Sequence, residues 1–256
     1  MNSLERSLVE KAGYDNGWER SSIATDGRSI TLASSMHGFT ATVRKGSHEK
    51  EWSVRFSNGF PLGELRREFP SIIFHEEEIV PWDYQVLCAI LRRAAEIAIA
   101  VPDAPLIAFN KELESTLAKQ GIPHGTEAER IVKQRIGQNY YRKALLSYWK
   151  GACALTGFDL PEVLRASHAK PWAECESDSE RLNVYNGFLF TANVDALFDK
   201  ALISFADDGE LLLSTRVKEG RFADLGLRPG MHLRWIEDRH LPFLTWHREH
   251  LFIKNI

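Results

Sequence analysis

The sequence predicts an α+β protein of two domains: an N-terminal mixed α/β domain over residues 1–105 and a C-terminal domain over 127–256, with 106–126 as linker. Three observations predict it. Short stretches with strand character, Ser29–Ser34, Phe39–Arg44 and Trp52–Ser57, precede the helical run Val80–Ala100. Pro102, Pro105, Gly121, Pro123 and Gly125 then crowd the segment after it, leaving room for one short helix, Asn110–Lys119. Beyond that lies a long helical pattern, Thr126–Lys150, followed by short strands with a helix among them.

Taken in order, the chain opens on a short amphipathic helix within residues 1–20, with Leu4, Leu8 and Val9 at helical spacing. The strand-like stretches FTATVR and WSVRFS bracket the polar link KGSHEKE, the pattern of an antiparallel hairpin. Thr126 is placed to cap the long helix, with Glu127 and Glu129 in the first turn where the helix dipole favours negative charge. After it come Ala152–Thr156, the strand-like LRASHA, a polar loop at Glu174–Leu182, a strand Gly187–Phe190, a helix Ala192–Lys200 and a strand Ala201–Ala206. Asp207-Asp208-Gly209 then turns the chain into Glu210–Ser214.

Composition narrows the class. With 256 residues, 44% of them hydrophobic, the chain has the means to build ordinary cores. No run of apolar residues is long enough to cross a membrane, and the N-terminus lacks the layout of a signal peptide, so the expected location is cytoplasmic. Three widely spaced cysteines without a CxxC pair argue against a disulfide framework, and no structural zinc is expected. A net charge of −3 gives no global sign of a nucleic-acid partner, so charge has to be sought locally.

The chemistry gathers around LRASHAKPW. Its His168 fits neither strand alternation nor a helical apolar stripe. Asn186 follows at an Asn-Gly turn that opens a strand, and Asp195 and Asp199 share one face of the next helix, one turn apart. Two carboxylates so spaced can hold one divalent cation, and oxygen ligation favours a hard ion, Mg²⁺ or Mn²⁺. A neutral imidazole nearby can take a proton from water while the cation stabilises charge on a phosphate. Such a set makes a one-metal phosphodiesterase.

The run CALTGFDLPEVLRASHAKPW followed by RLNVYNGFLFTANVDALFDKALISF resembles the HNH endonucleases, the ββα-metal nuclease superfamily, and in particular a restriction-type branch with an ASHxKPW core. The resemblance implies that His168 is the general base, that Asn186 buttresses the loop carrying it, and that Asp195 and Asp199 bind the metal. Ser167 stands where relatives often have a ligand Asp or His, and Asn186 and Asn193 are further candidates for the metal shell. It also implies in-line attack by water, leaving 5′-phosphate and 3′-hydroxyl ends. Arg165 and Lys170 lie near the base and are placed for phosphate contact.

The helix over 130–143 mixes Arg130, Lys133, Arg135, Arg142 and Lys143 with Gln134, Gln138 and the pair Tyr140-Tyr141, a composition suited to a duplex backbone. Arg135, Gln138, Arg142 and Lys170 are the expected DNA contacts. His247 and His250, without a third ligand, are assigned to a surface helix; His37, His48 and His75 have no partner pattern. Trp52, Phe56, Phe60 and Trp82 are read as core in preference to a stack for an extruded base.

The expected function is a metal-dependent endonuclease acting on double-stranded DNA, a restriction or defence enzyme whose N-terminal domain selects the DNA. Because one site cuts one strand, a homodimer is expected. The alternatives are an HNH effector without sequence choice, and a DNA-binding protein with an inactive nuclease core.

Overall fold

The computed structural model describes residues 1–45, 52–75, 78–101, 103–218 and 220–252; His48 and Pro102 lie outside them. Its contacts divide the chain into two compact units, residues 1–99 and 100–256. Both are helix-and-antiparallel-sheet structures, the α+β class that the alternation predicts.

The first unit begins with α1 (Ser3–Asp15), whose start is fixed by a reciprocal cap: Glu5 N donates to Asn2 Oδ1 at 2.8 Å and Asn2 N to the Glu5 carboxylate at 2.9 Å. Then follow β1 (Arg20–Ile23), β2 (Ser29–Ala33), β3 (Thr40–Lys45), β4 (Trp52–Phe56), α2 (Leu62–Glu68), β5 (Ile73–His75), β6 (Glu78–Val80) and α3 (Tyr84–Ala100). The strands form one antiparallel sheet in the order β1-β2-β3-β4-β6-β5. The expected hairpin is β3–β4, with Ala41 opposite Phe56. Val80, expected in the helix, instead ends β6, because Pro81 separates it from α3. Trp52, Phe56 and Phe60 are buried, as a core reading requires, whereas Trp82 is exposed.

The second unit contains α4 (Asp103–Gln120), α5 (Glu127–Tyr148), β7 (Leu164–His168), α6 (Asp178–Arg181), β8 (Gly187–Thr191), α7 (Ala192–Asp199), β9 (Ile203–Phe205), β10 (Leu211–Leu213) and α8 (Leu241–His250). The segment 106–126 is not a linker. Most of it is α4, which buries Phe109, Leu113 and Leu117 at helical spacing and packs against α5. Pro105 does not prevent this, since it sits in the first turn, where the missing N–H would have no partner within the helix. Thr126 caps α5 as predicted, its hydroxyl accepting from Glu129 N at 3.2 Å.

One smaller expectation also changes: the loop 174–182 contains α6. Around β8 and α7, the rings of Phe188, Phe190, Phe198 and Phe205 pack together, and Trp149 stacks on Trp235 at 4.3 Å. The helix α8 is only partly a surface helix. His250 is exposed, but His247 is buried against Phe198, bonded to Ser204 Oγ and to the Phe198 carbonyl.

Candidate active site

The hairpin β7–β8 and the helix α7 form a ββα unit. Antiparallel pairing sets Ser167 opposite Phe188 and His168 opposite Gly187. Gly187 is required by close approach: a Cβ there would lie 2.0 Å from both the Ser167 carbonyl oxygen and the Tyr141 hydroxyl. The Asn-Gly pair thus lets helix α5 touch the hairpin where the histidine leaves it.

His168 is held on two sides. Its ring stacks on Tyr141 of α5, with centroids 3.8 Å apart and planes 15° from parallel, and Trp172 meets it edge-on at 6.0 Å. Its Nε2 lies 2.8 Å from the Arg181 carbonyl, which can only accept, so the proton belongs on Nε2 and Nδ1 carries the lone pair. No described residue bonds Nδ1. Burial holds the imidazole down at about 4, so it is neutral at physiological pH.

Asn186 is fully buried and all its amide groups are used. Oδ1 accepts from Lys170 N at 2.8 Å, while Nδ2 donates to the Lys170 carbonyl at 3.1 Å and to Cys175 Sγ and the Glu180 carbonyl at 3.3 Å each. It thereby ties the chain just after His168 to residue 180, next to the carbonyl that orients the imidazole. With its amide spent in this way, it has no group left for a metal.

On α7, Asp195 accepts a hydrogen bond from Ser167 Oγ, a buried hydroxyl. Asp199, one turn on, has no hydrogen bond or ion pair with a described residue. Partial burial of its carboxyl and then the Asp195 charge raise it above the usual aspartate range. The residue as a whole remains exposed, and the Lys200 charge offsets part of the rise. Two carboxylates one turn apart, neither in an ion pair with a described residue, are a donor set that suits a hard divalent ion. Asn193 donates instead to the Leu225 carbonyl at 3.0 Å.

Residues 153–206 match the family model for HNH endonucleases. No curated protein matches the chain. The HNH segment therefore spans β7, β8 and α7, and it carries His168, Asn186, Asp195 and Asp199. It supports a nuclease, and with it a nucleic-acid substrate; HNH nucleases generally use a divalent metal.

Of the expected DNA contacts, Arg135 and Gln138 are exposed on α5 and bonded to no described residue. Arg142 and Lys170 are engaged within the protein. The Arg142 guanidinium donates to the carbonyls of Leu164 and Pro161 at 2.6 and 2.7 Å, and Lys170 pairs with Glu180 at 2.8 Å. Arg165 is exposed on β7 without a partner among the described residues.

Sequence reasoning missed the part played by Tyr141, taken as one of an aromatic pair on a DNA-facing helix, and that of the Arg181 carbonyl. It also missed Gly137, where a Cβ would meet the Trp172 ring at 2.2 Å. A glycine within a long helical pattern was the available signal for that last contact. Apart from the HNH segment's carboxylates, the described residues also bring Asp208, Glu210 and His232 together at the surface, with ligand atoms within 4.8 Å of one another.

Proposed function

We propose that the chain is a divalent-metal-dependent endonuclease that hydrolyses phosphodiester bonds of double-stranded DNA, with His168 as general base. The observation that carries this reading is the tautomer of His168: its proton is committed to the Arg181 carbonyl and its lone pair is free on Nδ1, at the end of a ββα hairpin. A neutral, oriented imidazole is in the form a general base needs. Nδ1 takes a proton from water as the water oxygen bonds to phosphorus, and the bond to the 3′-oxygen breaks. The products are a 5′-phosphate and a 3′-hydroxyl, the departing 3′-oxygen taking its proton from solvent water.

Asp195 and Asp199 would hold the cation, Mg²⁺ or Mn²⁺, which supplies stabilisation of charge on the phosphate and departing oxygen. Ser167 orients Asp195 through its hydroxyl. Asn186 positions the loop that carries the base. Arg165, exposed and without a partner among the described residues, suits a contact with the scissile phosphate, and Arg135 and Gln138 suit its neighbours. A separate N-terminal unit favours a restriction or defence role, because an HNH core touching mainly phosphates reads little sequence. Cutting both strands would take two copies of the chain.

Unmodified, methylated and hydroxymethylated supercoiled plasmids, incubated with Mg²⁺, Mn²⁺ or EDTA, test the reading. Cleavage should require the metal and vanish in His168→Ala. Cleavage that persists in EDTA or in that variant would overturn it.

A further inference from the structure

Alternation sorts the side chains of the N-terminal sheet by face. Ile30, Leu32, Ala41, Val43 and Val54 are fully buried on the face towards α1. On the other face the register aligns Ser22, Thr31, Thr42, Arg55 and Glu78 in one row across five strands, and none of the five is buried. In the next row Arg44 stands opposite Ser53. The open face therefore carries hydroxyls and guanidinium groups in register.

The charges on it are unbalanced. Arg44 and Arg55 are exposed and make no hydrogen bond or ion pair with any described residue. Across β3–β4 they are diagonal neighbours, about 7 Å apart. The carboxylate in the row, Glu78, accepts from Ser53 Oγ at 2.9 Å and pairs with neither arginine. The face thus carries two guanidinium groups against one carboxylate, in a chain whose net charge is −3.

We infer that this open sheet face is a docking surface for duplex DNA, held through its phosphates. The inference rests on the nuclease reading for the identity of the partner and adds to it the surface used. Hydroxyl and guanidinium side chains are groups that contact phosphate. A row of five strands spans about 19 Å, long enough to lie against several phosphates of a duplex. Such a face grips the backbone and reads no base edges, so it supplies affinity and register, and sequence choice falls to other surfaces of the N-terminal unit.

Binding of a fluorescent duplex by the full chain, in EDTA and across a salt titration, tests this. The exposed arginines are replaced in R44Q/R55Q, with K11Q/K111Q as a control of equal charge change and R44K/R55K keeping the charge. Loss of two phosphate contacts should weaken binding about tenfold or more and make the slope of log K against log salt shallower by about two. The lysine pair and the control should bind as the parent does, all with unchanged thermal midpoints. Parent-like binding and slope in R44Q/R55Q would overturn the docking surface even if the parent cuts plasmid, leaving the nuclease reading intact. Arginine-dependent duplex binding by a chain that cuts nothing with any metal would uphold the surface and sink the nuclease reading. Arginine-dependent binding of single-stranded RNA in place of duplex would overturn the inference.

Discussion

The Tyr141 ring lies flat on the His168 imidazole at 3.8 Å, and its hydroxyl donates to the Asn186 carbonyl at 2.9 Å. One buried side chain of α5 therefore touches both the proposed base and the residue that positions its loop. Tyr141→Phe keeps the stack and loses the hydrogen bond, for an expected loss of about 1 kcal/mol in urea unfolding and a modest fall in cleavage. Tyr141→Ala removes the stack as well and should lose about 3–5 kcal/mol. Equal stabilities for the two variants would show that the ring contact contributes nothing.

Two histidines of the C-terminal unit give stability a definite pH dependence. His168 and His247 are both held down at about 4, below the ordinary 6.5, chiefly by burial. Between those values the unfolded chain binds more protons than the folded one, so stability rises with pH in that window and falls as pH drops from 6.5 towards 4. Each histidine should account for about 3 kcal/mol of that fall. Urea midpoints measured from neutral pH down to this window check it, and His247→Gln should remove roughly half of the dependence.

Metal binding should be visible without any substrate. If Asp195 and Asp199 share a cation, Mg²⁺ or Mn²⁺ raises the thermal midpoint of the parent chain by binding only the folded state. Asp199→Asn should abolish that shift and cleavage together. In EDTA the same variant should be as stable as the parent or slightly more so, because it relieves the burial of a charged carboxyl and the Asp195 repulsion that together raise Asp199. A metal-induced shift that survives the substitution would place the ion elsewhere, for instance among Asp208, Glu210 and His232.

A sign reversal is expected at Gly137. Alone, Gly137→Ala drives a methyl into the Trp172 ring and should destabilise by about 1–3 kcal/mol. In a Trp172→Ala background the ring is gone and only helix propensity remains, so the same change should stabilise by up to about 1 kcal/mol. A double-mutant cycle by urea unfolding measures this, and additive effects would mean that the two residues do not meet.

Much of the candidate site was legible because it is written in local pattern. The strands at 164–168 and 187–191 and the helix at 192–199 follow from strand-like composition and helical spacing, and they place His168, Asn186, Asp195 and Asp199 on one ββα unit. What orients the histidine was not legible. One partner is a backbone carbonyl, Arg181, which carries no residue signature, and the other is Tyr141, brought in from 27 residues upstream where α5 packs on the hairpin. Charge counting failed for a related reason. Arg142 looks like its exposed neighbour Arg135 in a sequence, but the carbonyls of Leu164 and Pro161 absorb it. In α4, the density of proline and glycine outweighed a buried stripe of Phe109, Leu113 and Leu117 that has ordinary helical spacing.

The fastening of β7 at both ends has a kinetic consequence. Arg142 grips the Leu164 carbonyl at its start, and Asn186 grips Lys170 just past its end. A strand with no slack cannot be drawn towards a correct substrate and withheld from a wrong one. If it carries the base, the centre is assembled before DNA arrives, and discrimination between DNAs falls on KM rather than on kcat.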